Sequence, residues 1–228
     1  MKKLSIIIPV FNEEKTISAV LEKVLANKID EIEKEIIVVN DGSTDKTKEI
    51  IQPFLSKITL LDFSQNFGKG NAIVQGLKKS TGDFVIVQDA DLEYDIEDWQ
   101  KMVLEIKKDK TISAVFGSRE MQSQRKGYFH YVFGVRLLTF LINLLFGSKL
   151  TDSYTCYKLI KKEVLNKINL NSKGFEIEAE ITCKFLKNKE KIIEVPINYF
   201  PRKFSQGKHI RAKDGILGIL KIIECRIF

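Results

Sequence analysis

A chain of 228 residues, 44% of them hydrophobic, has the length and apolar content for one α/β domain without disulfide staples. Its three cysteines, Cys156, Cys183 and Cys225, are far apart and lack Cys-x-x-Cys spacing, which excludes a zinc ribbon or dithiol redox centre and suits a reducing cytoplasm. The net charge of +7 admits nucleic acid, anionic lipid or phosphorylated small molecules as partners, but there is no zinc-finger spacing, RNP-like strand or basic block, so nucleic acid is set aside.

In chain order, the first apolar run, Leu4–Val10, reads as a buried parallel strand. No basic-then-apolar leader precedes it, so the expectation is a protein working on the cytoplasmic side. Similar runs recur at Glu35–Asn40, Ile58–Asp62, Phe84–Gln88 and Ser113–Gly117. Stretches of helical period separate them: Thr16–Ala26 places Ile17, Val20, Leu21, Val24 and Leu25 on one face, and Lys69–Lys79 is a second such stretch. The alternation predicts a Rossmann-like, doubly wound, mostly parallel sheet, whose ligands sit outside the carboxyl ends of its strands.

Polar residues gather at those ends. Pro9, Asn12, Glu13 and Glu14 follow the first strand, Asn40-Asp41-Gly42-Ser43-Thr44-Asp45 the second, and Asp89-Ala90-Asp91-Leu92-Glu93 the fourth. Ser43, Thr44 and Asp45 are good capping types, and capping is the expectation for them; Asp41, with glycine after it, is the better candidate for touching ligand. Asp89, Asp91 and Glu93 alternate, and on extended backbone their carboxylates point to one side, which suits a hard cation, magnesium or manganese. A calcium EF-hand is excluded, because Tyr94 and Gln100 stand where glycine and glutamate belong. No Walker-type loop is present; Gly68-Lys69-Gly70 at a helix start is either a phosphate-holding turn, through backbone N–H groups and one ammonium, or an ordinary turn. His130 and His209 stand alone and read as surface residues.

From about Gly127 the pattern changes to a long apolar helix, then a segment at Ser153–Ile160, a helix near Glu176–Leu186 and a strand at Lys191–Tyr199. Between Tyr131 and Gly147, Arg136, Thr139 and Asn143 recur at steps of three and four as one polar stripe, expected to face the active site. A second apolar run, Ile216–Phe228, carries Lys221 and Glu224 on one side. Both runs fall short of the about 20 apolar residues that span a bilayer, so the expectation is C-terminal helices lying in the membrane interface, with core packing as the alternative.

Pro9-Val10-Phe11-Asn12-Glu13, Asp41-Gly42-Ser43-Thr44-Asp45 and Asp89-Ala90-Asp91, in that order, resemble family 2 glycosyltransferases of GT-A fold. Gly117-Ser118-Arg119, Thr151-Asp152, Thr155-Cys156-Tyr157-Lys158, Glu194-Val195-Pro196-Ile197, Pro201-Arg202 and Gly207-Lys208 look like the branch that glycosylates dolichyl and polyprenyl phosphates. The resemblance implies one domain, with about 1–120 binding the nucleotide sugar and about 121–228 the acceptor. It implies that Pro9, Val10, Asn12, Glu13, Asp41, Lys69, Asp89, Ala90, Asp91, Arg202 and Lys208 serve the donor. Asp89 and Asp91 would bridge a magnesium or manganese ion to the diphosphate, with Glu93 standing where relatives often carry glutamine. Arg119 and Arg136 would receive the acceptor phosphate, and Arg202 and Lys208 lie on a loop expected to close over the donor. The partners implied are a nucleotide diphosphate sugar, a polyprenyl or dolichyl phosphate and the cytoplasmic membrane surface.

A departing nucleoside diphosphate is multiply charged, and a divalent cation with basic side chains stabilises it. Direct inverting displacement follows as the expected chemistry, with Asp91, Asp152 and Arg119 as its central residues. A phosphate monoester, with a second pKa near about 6, is already an anion at neutral pH and needs no strong base. Asp152 then orients the acceptor or an arginine, or merely caps a segment; a sugar hydroxyl acceptor would need it as base. Two alternatives stay open: transfer to a sugar hydroxyl of a growing glycan, and a nucleotide-sugar or anionic-lipid binding module without turnover.

Overall fold

In the computed structural model, residues 2–122, 129–202 and 212–228 are described. The first half alternates strand and helix: β1 (Lys2–Val10), α1 (Ile17–Ala26), β2 (Ile32–Asn40), α2 (Thr47–Ile51), β3 (Thr59–Asp62), α3 (Lys69–Lys79), β4 (Phe84–Val87), α4 (Asp98–Lys108) and β5 (Ile112–Ser118). The second half contains α5 (Phe129–Phe146), β6 (Lys158–Lys161), α6 (Lys162–Leu165), α7 (Ile177–Lys187), β7 (Lys191–Pro196) and α8 (Ala212–Ile227).

The strands form one sheet in the order β3-β2-β1-β4-β6-β5-β7. β1 pairs in parallel with β2 and β4, so the order reverses at β1 and a crevice opens beyond its carboxyl end. Leu4 through Val10 of β1 are buried, as a strand covered on both faces by helices requires. On α4, Trp99, Met102, Val103 and Ile106 recur at helical spacing and are buried against the sheet.

β6 is the departure from a purely parallel sheet. It enters between β4 and β5 and runs antiparallel to both. It arises at the end of the Ser153–Ile160 segment, which is too short to carry a periodicity of its own. β7 stops at Pro196, short of the expected Tyr199, because Asn198 turns its N–H to Asp98 Oδ2 (2.5 Å). A second, smaller core joins Leu138 and Ile142 of α5 to Ala179 and Cys183 of α7 and Ile222 and Cys225 of α8. The three cysteines are free and buried.

Candidate active site

The loops after β1 and β2 are laced together. Asn12 adopts a left-handed backbone (φ 54°), which asparagine tolerates better than most residues. Its N–H donates to Ser43 Oγ (3.0 Å), while its side-chain oxygen accepts the Thr44 N–H (2.8 Å). Asp45 accepts the Thr47 N–H at the start of α2 and the Glu14 N–H, the capping use expected for it. Asn12 thus ties two loops together and is not part of the cavity wall, whereas Pro9, Val10 and Glu13 are.

Asp41 is almost fully buried, and its two oxygens accept the backbone N–H groups of Phe67 (2.9 Å) and Gly68 (2.8 Å). The next free N–H groups of the α3 start, on Gly70 and Asn71, donate to Lys173 O. The Gly68-Lys69-Gly70 turn therefore spends the N–H groups of both its glycines inside the protein, while Lys69 lines the cavity. Glycine is required twice here: Gly68 has φ 98°, and a Cβ on Gly70 would sit 2.4 Å from Ser172 O.

The acidic segment after β4 is a turn, not extended backbone. Leu92 has φ 61°, an uncommon conformation for such a side chain and one that marks local strain. The turn crowds the carboxylates together. Burial, then the charges of Asp89 and Glu93, push Asp91 up to about 7, with Arg202 opposing. Each acid already has a partner. Lys69 Nζ lies 2.6 Å from Asp89 Oδ1; the Arg202 guanidinium reaches Asp91 Oδ2 (3.1 Å) and Glu13 Oε2 (2.9 Å). Glu93 accepts the Arg202 N–H (2.7 Å) and the Tyr199 hydroxyl (2.5 Å), which fastens the segment after β7 to the acidic turn. Among the described residues no group of three His, Cys, Asp or Glu side chains is assembled to hold a metal ion. Asp89 and Asp91 are nonetheless hard oxygen donors whose crowding a divalent cation would relieve, so the donor chemistry fits magnesium or manganese.

Beyond the acids stands a buried ion pair. Arg119, at the end of β5, donates from Nε to Asp152 Oδ2 (2.7 Å) and from Nη2 to Asp152 Oδ1 (2.9 Å), a bidentate fork. Its Nη1 reaches the Tyr94 hydroxyl (3.3 Å), and the Tyr199 ring lies 5.2 Å from its centre. Asp152 is fully buried, with its carboxylate turned to Arg119 and away from the cavity, whereas Arg119 lines it. Burial opposes the charge on Arg119, but Asp152 beside it holds the group firmly protonated.

These residues border one cavity of about 1050 Å³. Its wall is formed by Pro9, Asp41, Asn66 and Lys69, by Asp89, Asp91 and Arg119, and by Val132, Val135 and Leu138 of α5 with Ile216 and Ile219 of α8. Arg136 is not part of that wall. Its side chain is 61% exposed and pairs with Glu120 (2.7 Å), the residue that follows Arg119. The expected polar stripe faces another way. Thr139 bonds Ser153, and Asn143 holds Leu150 and Ser148, so the stripe fastens α5 to the segment on both sides of Asp152, while an apolar flank of α5 faces the cavity. Lys208 and His209 lie outside the described residues. Tyr94, Tyr199, Phe175 and Glu178 line the cavity and escaped the sequence reading, because single residues away from a strand-end motif carry no local signal.

Residues 5–168 match the family model Glycosyl transferase family 2. The chain is 29% identical over 212 residues to a dolichol-phosphate mannosyltransferase of Pyrococcus furiosus, covering 90% of this chain and 59% of that protein. It is 33% identical over 126 residues to a poly-beta-1,6-N-acetyl-D-glucosamine synthase of Staphylococcus aureus, covering 54% of this chain and 30% of that protein. The chain thus spans less than two thirds of the length of either relative. Glucosyl-3-phosphoglycerate synthase from Mycobacterium tuberculosis, solved with UDP, superposes over 100% of this chain and 81% of its own with a TM-score of 0.77 at 18% identity. The same enzyme solved with Mn2+, UDP-glucose and phosphoglyceric acid gives a TM-score of 0.75 at 17% identity, covering 100% of this chain and 80% of its own.

Proposed function

The chain belongs to glycosyl transferase family 2 and has the GT-A fold, and from that premise we propose that it moves a hexose from a nucleoside diphosphate sugar to a polyprenyl or dolichyl phosphate at a membrane surface. The observation that carries this reading is the make-up of one cavity wall: carboxylates, a buried arginine and apolar side chains from two helices. An acceptor made of an anionic head on an apolar tail matches that combination. The Pyrococcus relative's name supports the same acceptor class.

Pro9, Val10, Glu13 and Asp41 form the nucleoside end, and Lys69 meets the diphosphate. Asp89 and Asp91 would hold a magnesium or manganese ion, which when bound supplies positive charge to the departing diphosphate. Arg202 leaves the carboxylates for the diphosphate when the donor enters, and Glu93 keeps its loop close by. Arg119 receives the acceptor phosphate, and Asp152 positions Arg119. With its carboxylate given to Arg119, Asp152 is unsuited to take a proton from a hydroxyl, and an acceptor that is already an anion needs no base. Displacement then proceeds with inversion, the acceptor oxygen attacking opposite the leaving group.

Turnover of GDP-mannose and UDP-glucose against a polyprenyl phosphate, a glycan hydroxyl acceptor and water, with and without metal, tests the reading. Transfer to the lipid phosphate that a chelator abolishes, and that Asp91→Asn lowers by about a hundred-fold or more while the fold is kept, is expected. Transfer only to the glycan would replace the acceptor, and binding without transfer or hydrolysis would leave a binding module.

A further inference from the structure

A line of alternating charges runs from the cavity into the protein. Asp89 Oδ1 lies 2.6 Å from Lys69 Nζ, Lys69 Nζ lies 3.8 Å from Glu178 Oε1, and Glu178 Oε2 lies 2.5 Å from Lys158 Nζ. Glu178 sits in the first turn of α7 and Lys158 opens β6, and both side chains are almost wholly buried. Lys158 also donates to Thr155 O. Glu178 and Lys69 both line the cavity, and Lys158 does not.

Lysine is a long, flexible cation that fixes a charge in space only when its head is held. Lys69 is held from three sides: Asp89 at its tip, Glu178 beside it, and the Phe175 ring 5.6 Å away. Asp89 is the partner it must share once a cation and diphosphate occupy the acidic turn. Glu178, on α7, lies outside that turn. Its far oxygen is anchored by Lys158, so its near oxygen keeps a fixed place.

We propose that Glu178 is a positioning residue, anchored by Lys158, that holds the Lys69 ammonium against the donor's diphosphate. The inference rests on the nucleotide-sugar reading above. It gives Lys158 the role of a buried counter-ion rather than a ligand contact. The competing account is that Glu178 only neutralises Lys158, and the two accounts part in one experiment.

Calorimetry on the full chain in magnesium measures GDP, GMP, UDP and UMP binding, beside melting temperature, for wild type, Glu178→Gln, Lys69→Met, Lys69→Met with Glu178→Gln, and Glu178→Gln combined with Lys158→Met. The last variant removes both members of the buried pair, so no charge is left stranded. Expected are a lowered melting temperature for Glu178→Gln alone and its recovery in the Lys158→Met combination. Diphosphate affinity stays down by about ten-fold in both, the scale of one charge-assisted contact, while monophosphate affinity is unchanged. Lys69→Met gives a similar loss, and adding Glu178→Gln to it costs nothing more. Diphosphate affinity that recovers together with stability, or losses that add, would overturn the positioning role. Should the Lys158→Met combination fail to fold, Glu178→Asp carries the test: it keeps the charge but draws back one methylene, so diphosphate affinity falls if Glu178 positions Lys69 and is unchanged if it does not. Wild type that binds neither diphosphate overturns the transferase reading, and this inference with it.

Discussion

Arg202 touches Asp91 and Glu13 through its guanidinium and Glu93 through its backbone, so one residue after β7 gathers acids from the ends of β1 and β4. Its own charge is favoured by those carboxylates against the cost of burial. A surface arginine would gain little from such pairs, but here both partners are largely withdrawn from water, where opposite charges act more strongly. Glu35 shows the same physics away from the site. Burial alone would raise it, but hydrogen bonds from Ser5, Thr81 and Lys3 bring it down from 4.5 to about 2. A folded-state pKa below the unfolded one contributes stability above 4.5, and that contribution fades as pH falls toward 2. Glu35→Gln is expected to melt a few degrees lower than wild type at pH 7, since one kcal/mol moves the melting point by about 2–4 °C at this size. That gap closes between pH 4.5 and 2; melting curves on both proteins across this range check it, and a gap independent of pH refutes it. At this scale the sequence identified which residues stand at strand ends but not whom they meet. Asp41 was readable as special because glycine follows it. That its oxygens go to Phe67 and Gly68 depends on a loop folded back from β3, which no local pattern encodes.

Among elements, α5 and α8 carry the clearest unfinished surface. Phe133, Leu137, Phe140 and Leu144 recur at steps of three and four along α5, and Ile216, Leu220, Ile223 and Ile227 do so along α8; all are exposed. The opposite faces of the same helices supply the smaller core. Among the described residues, no helix is long and apolar enough to cross a membrane. Two exposed apolar stripes beside a cavity with apolar walls support docking in the lipid interface, under the acceptor reading proposed above. Vesicle flotation tests it. Wild type should float with anionic vesicles, less so in high salt, and Phe140→Glu with Leu144→Glu should release it without unfolding. Wild type that stays with the soluble fraction throughout would remove lipid docking. Leu141 and Leu145 are unsuitable for this test, because they pack against the smaller core. Periodicity announced that α5 has a polar stripe, yet it did not say which neighbour the stripe would meet. Thr139 and Asn143 turned to the segment that flanks Asp152, and Arg136 to Glu120.

For the whole molecule, the parallel half was legible because its strands are continuous apolar runs joined by helices of clear period. The second half was less so, since its shorter strands and long apolar helices give signals that strand, core helix and interfacial helix share. β6 is the element that matters most for how the chain becomes one object. It lies between β4 and β5, so among the described residues the two halves of the sheet pair through a strand synthesised after both. On the ribosome, β4 and β5 wait as open edges until residue 161 has emerged, and open strand edges invite pairing with another chain. A fragment stopped near 150 should therefore aggregate, whereas the same fragment supplied with a peptide spanning β6 to β7 should become soluble. Light scattering on the two samples decides it. A soluble, cooperatively folded fragment without the peptide would mean that the first 150 residues are an independent unit onto which the rest was grafted. An insoluble one would mean that the chain is stitched shut from its middle.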